Sequence, residues 1–81
     1  MSATEQKARK KALCARLARV EGQLRGLQKL IKAEADTEKI AQQMAAARKA
    51  LDKTFFAMIS DLITEEATSA DDVALLLLRF A

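Results

Sequence analysis

The sequence has no proline, no histidine, no tryptophan and no tyrosine, a single cysteine and only two glycines in 81 residues. Without proline nothing interrupts a long helix by losing a backbone donor. Without histidine the chain lacks the side chain most used as a general base and as a borderline metal ligand. The lone Cys14 excludes an intramolecular disulfide and fits a reducing compartment better than secretion. The longest strictly apolar run, VALLLL at residues 73–78, is far short of a membrane span. The polar, charged N-terminal stretch does not read as a signal peptide. A cytoplasmic protein without a membrane partner is the expectation.

Half of the residues (51%) are hydrophobic and 31% are charged, a balance too apolar for intrinsic disorder. Alanine is abundant and β-branched residues are few, which favours helix. The length allows one domain, residues 1–81. A helical chain of this size buries a small core, and without disulfides or metals self-association is the usual remedy. The net charge of +3 hides an asymmetry. Residues 1–32 carry nine basic and two acidic side chains, whereas residues 33–81 carry five and nine. A basic half suits a polyanionic partner. It also suits a solvated helix face that happens to be rich in lysine and arginine.

The periodicity is helical throughout. Ser2 with Glu5 forms a capping-box pattern. Leu13, Leu17, Val20, Leu24, Leu27 and Ile31 follow spacings of four and three, an apolar seam with a seven-residue repeat, so a helix runs to about Lys32. The segment AEADTEK, residues 33–39, breaks the seam, and Asp36 or Thr37 can cap a second helix. That helix reads Ile40, Met44, Ala47, Leu51, Phe55, Met58 and Leu62 on one face, widened by Phe56, Ile59 and Ile63, and ends near Glu66. Met44 and Met58 read as core. Thr68 and Ser69, with Asp71 and Asp72 behind them, cap a short third helix that is apolar nearly all round and therefore belongs in a subunit interface. The expected fold is all-α: a long antiparallel hairpin and a short third helix.

Both glycines lie within RVEGQLRG, residues 19–26. Gly22 and Gly26 are one turn apart on one helix face, and each costs about 1 kcal/mol of helix propensity against alanine. Tight helix–helix packing is one reason to keep them; close approach to a nucleic-acid backbone is another. With RLxRVEGQLRGLQKLI upstream and QQMAAARKALDK downstream, the stretch resembles the CsoR/RcnR/FrmR family of small bacterial repressors that respond to metal ions, formaldehyde or sulfur species. The likeness runs without a gap from about Lys10 to Ile63. It implies pairing into dimers and then into a flat tetramer without a winged or conventional helix-turn-helix. It also implies a partner, duplex DNA, held by basic helix faces and released when an effector binds. The matching basic positions are Arg16, Arg19 and Arg25 on the first helix and Lys53 on the second, with Arg48 and Lys49 nearby. Lys7, Arg9, Lys10 and Lys11 would add phosphate contacts. The scarcity of aromatics favours duplex over single strands, which are gripped by stacking.

The family's sensor positions, one cysteine at the start of the second helix and a histidine followed by a histidine or cysteine near its end, fall on Thr37, Leu62 and Glu66. None is a soft or borderline ligand of the kind that copper(I), nickel, cobalt and zinc require. A lost response, a non-metal effector in the same inter-subunit pocket, and a hard cation on Asp36, Glu38, Glu65 and Glu66 all remain open. No metal site and no cofactor is expected, and the effector is unknown. Cys14 lies off the family's cysteine position and reads as a small buried hydrophobe, or as a reactive thiol near Lys10, Lys11 and Arg16. No nucleophile–base pair and no phosphate-cradling glycine loop is present, so catalysis is not expected. The alternative to a repressor is a helical homo-oligomeric interaction module without specific DNA binding.

Overall fold

The computed structural model describes residues 2–66 and 68–81. Helix α1 spans Ala3–Lys32, α2 Thr37–Thr64 and α3 Ala70–Phe80. The caps follow the sequence signals. The Glu5 N–H donates to Ser2 Oγ at 3.2 Å, and the Asp72 N–H donates to Ser69 Oγ at 3.2 Å. Asp36 occupies the N-cap of α2 without a side-chain capping bond. Between α1 and α2 the chain reverses through a left-handed residue, Glu34 (φ 55°). The N–H of Ala35 reaches back to the Leu30 carbonyl at 3.0 Å and that of Glu34 to the Ile31 carbonyl at 3.1 Å. This is a Schellman arrangement, with glutamate where glycine is the usual occupant. Glu66 (φ 53°) repeats the left-handed conformation after α2.

The helices lie in one layer. α1 runs antiparallel along α2; α3 rests on α2 and, among the described residues, does not touch α1. The molecule measures 47 × 29 × 12 Å, and its thinnest dimension is about the diameter of one helix. Arg9 Nη1 meets Asp61 Oδ1 at 3.1 Å and ties the open end of the hairpin.

A layer one helix thick has little interior. Val20, Leu27, Ala47, Ile59 and Val73 are the buried apolar residues, with Thr54 beside them, its hydroxyl donating to the Ala50 carbonyl at 2.9 Å. The accessible surface is 6429 Å², against about 4,800 Å² for a compact monomer of this mass.

The apolar seam of α1 divides between two directions. Val20 and Leu27 face α2 and are buried, with Leu13 half-buried. Leu17, Leu24 and Ile31, the other half of the repeat, are 40–51% exposed, as are Met44 and Leu51 of α2. Met44 is therefore not core in this chain, and Met58 is half-buried. The line of α2 that meets α1 is instead Ile40, Gln43, Ala47, Ala50 and Thr54, spaced three and four apart and largely small or polar. Helical geometry (100° per residue) sets Leu17, Leu24 and Ile31 to one side of the contact line. Met44 and Leu51 fall on the same side of the antiparallel partner, so the five form one apolar broad face.

Cys14 is exposed, which corrects its reading as a buried hydrophobe. The glycines also depart from expectation. A Cβ built on Gly22 or Gly26 meets nothing within 4 Å, so close packing inside this chain is not what keeps them.

Candidate nucleic-acid interface

The other broad face of the hairpin is basic. Arg16 and Arg19 lie on the far side of the α1 contact line from Leu17 and Leu24. Lys49 and Lys53 occupy the corresponding side of α2. Between them runs an open groove of about 340 Å³ lined by Arg16, Arg19, Gln23, Ala46, Lys49, Ala50, Lys53 and Thr54. Its depth has a simple origin: Ala46 and Ala50 put only methyl groups where longer side chains would fill the valley. The alanines that allow the helices to approach thus also leave the four cations standing on the rims.

The lining contains no carboxylate, and none of the four cations forms an ion pair among the described residues. Four like charges without ion-pair partners raise the positive potential of a concave surface, where field lines concentrate. One feature of the floor stands out chemically. Gln23 Oε1 is buried and has no hydrogen-bond partner, the single such side-chain atom among the described residues. An orphaned buried acceptor costs about 1–3 kcal/mol.

The remaining sequence candidates do not join this groove. Arg9 spends its guanidinium on Asp61, with about a third of the arginine side chain exposed. Arg25 lies on the outer edge of α1, 3.9 Å from Glu21 in an exposed pair one turn apart. Arg48 sits on the outer edge of α2 in a shallow hollow with Gln42 and Asp52. Lys10 is exposed on the side of α1 away from Arg16 and Arg19. Of the ten basic residues expected at DNA the groove gathers Arg16, Arg19, Lys49 and Lys53. Gln23 was not singled out, although it follows Val20 by three residues and precedes Leu27 by four, which places it on the inward line of α1.

The sequence model of the metal-sensitive transcriptional repressors matches residues 9–76, well over half of the chain. The chain belongs to that family. The match takes in α1, α2 and all but the end of α3, and the three-helix architecture agrees with the resemblance to CsoR-type repressors. This is a family of transcriptional regulators rather than of enzymes. No curated protein and no solved structure matched the chain. Among the described residues no helix is long and apolar enough to cross a membrane.

The family implies a metal, and the donor set here does not fit one of the thiophilic kind. Thr37 begins α2, and Leu62 lies near its end, about 38 Å away along the axis. One chain therefore cannot bring these two positions together, and a site using both has to be completed by another copy. Leu62 is half-buried and offers no donor atom; Glu66 is exposed and holds the left-handed turn after α2. Among the described residues no three histidine, cysteine, aspartate or glutamate side chains converge to hold an ion.

Proposed function

We propose that this chain is a DNA-binding transcriptional repressor that grips duplex DNA through the groove between α1 and α2. Arg16, Arg19, Lys49 and Lys53 serve as its phosphate contacts. The observation that carries the reading is the gathering of four cations, free of ion pairs among the described residues, on one broad face of a flat molecule. The opposite apolar face supplies the surface for self-association into a dimer, with the exposed side chains of α3 available to join dimers into a tetramer. Repetition of the groove on one flat assembly then multiplies a modest patch into tight binding.

The effector chemistry is altered. With Thr37, Leu62 and Glu66 at the sensor positions, release from DNA does not use the sulfur and imidazole donors that thiophilic metals need. Repression is either constitutive or answers to a different ligand.

The test is fluorescence anisotropy of duplex promoter DNA across a salt series, with copper(I), nickel(II), zinc(II) and formaldehyde as additives. Each phosphate neutralised steepens the dependence of log K on log salt by about 0.9. Arg16→Ala and Lys53→Ala are expected to weaken binding and flatten that slope while the assembly stays intact by sedimentation. Unchanged affinity in both variants would refute the groove. Absence of salt-sensitive binding by the unaltered protein would leave the interaction-module alternative. Release by any of the additives would overturn the altered-effector reading.

A further inference from the structure

We propose that Gln23 is a positioning residue for DNA binding, its buried side-chain oxygen accepting a hydrogen bond from the Arg19 guanidinium and holding that group toward a backbone phosphate in the groove. The inference rests on the reading of the groove as the DNA site and adds a residue and a mechanism to it.

Three observations carry it. Gln23 Oε1 is buried without a partner, so it lacks the donor that buried acceptors almost always have. Gln23 and Arg19 both line the groove and are four residues apart on α1, the separation that makes helical side chains neighbours. Arg19 has no ion-pair or hydrogen-bond partner among the described residues, so its donors are uncommitted.

The other donors on the page fit less well. The Thr54 hydroxyl already donates to the Ala50 carbonyl. Arg16 is two turns away on the same helix. Lys49 and Lys53 rise from the opposite rim, and an ammonium turned down to the floor would leave the phosphate. A guanidinium has five N–H donors in a fixed fork, so Arg19 can give one to Gln23 and still present others to a phosphate. The phosphate charge also draws Arg19 into the groove and over the acceptor, so the two contacts reinforce each other.

Gln23→Leu keeps the volume and removes the acceptor. Its DNA affinity is expected to fall about tenfold, the usual scale for a hydrogen bond to a charged group, with the melting temperature unchanged or raised because an orphaned polar atom is gone. Gln23→Met serves as a second variant should the leucine form fold poorly. The decisive measurement is the double variant. In an Arg19→Gln background, Gln23→Leu should cost no further affinity, because glutamine acts through the arginine. Wild-type affinity in Gln23→Leu, or losses from the two substitutions that simply multiply, would overturn the proposal. If the unaltered protein fails to bind duplex DNA at any salt concentration, the reading of the groove falls and takes this inference with it.

Discussion

The two broad faces of the hairpin are built from the same two helices, yet they have little chemistry in common. One presents Leu17, Leu24, Ile31, Met44 and Leu51. The other presents Arg16, Arg19, Lys49 and Lys53 above a floor of alanines and Gln23. Side chains one or two positions apart, such as Arg16 and Leu17 or Leu51 and Lys53, thus belong to opposite surfaces. On the proposed reading, this is how a thin helical layer would separate self-recognition from ligand recognition: about 100° of rotation per residue suffices. It also shows why the α2 side of the contact line is largely small or polar. With both flanks reserved, Val20, Leu27, Ala47 and Thr54 are the buried residues that hold the hairpin from within, helped by half-buried Leu13 and Ile40.

The largest expected effect comes from attacking the apolar face. Leu24→Asp places a charge where the proposed dimer buries a leucine, and isolated burial of a charge is far costlier than loss of one contact. Sedimentation is expected to give monomer, and DNA affinity should drop with it because repetition of the groove is lost. A Leu24→Asp protein that still assembles would show that this face is not the interface. For α3, Leu78→Asp is the cleaner substitution: Leu78 is 82% exposed, whereas Leu76 is half-buried against its own chain.

Gly22→Ala sharpens the comparison from the basic side. No atom obstructs the added methyl within the chain, so the substitution should stabilise α1 by about 1 kcal/mol through helix propensity alone. If DNA or a second subunit comes close to this bare stretch beside Arg19, affinity or assembly should fall even as thermal stability rises. A gain in stability with no other change would mean that nothing approaches there.

Arg9→Ala has the smallest expected effect and separates committed from available cations. Removing its pair with Asp61, both side chains about a third exposed, should cost no more than about 1 kcal/mol. The salt dependence of DNA binding should be unchanged, because Arg9 is not in the groove. A flatter salt slope would return Arg9 to the DNA contacts.

The helices, their order and most of their caps were legible in the sequence, because periodic apolar residues and residues such as Ser2 and Ser69 act locally. The family was legible for a related reason, since RVEGQLRG and QQMAAARK are contiguous stretches. What the sequence did not disclose is direction. Spacings of three and four mark Leu17 and Val20 as equals, and only the partner helix decides that one points inward and the other out. Cys14, at the seam's edge, went the same way. Arg9 shows the limit for charges: composition counts it with the basic half, while the fold brings it 3.1 Å from a carboxylate 52 residues away. Gln23 escaped notice because a glutamine in a charged helix reads as solvent-facing. Its place on the inward line was the available signal.

The 12 Å thickness ties the integrity of the fold to the number of molecules present. A chain that leaves so much apolar surface outside its own interior draws stability from association, and stability drawn from association follows mass action. Its melting temperature should climb with protein concentration. Under the proposed repressor reading, the same relation would make abundance a control in its own right: newly made copies would stay folded and occupy an operator only above the level at which they find one another.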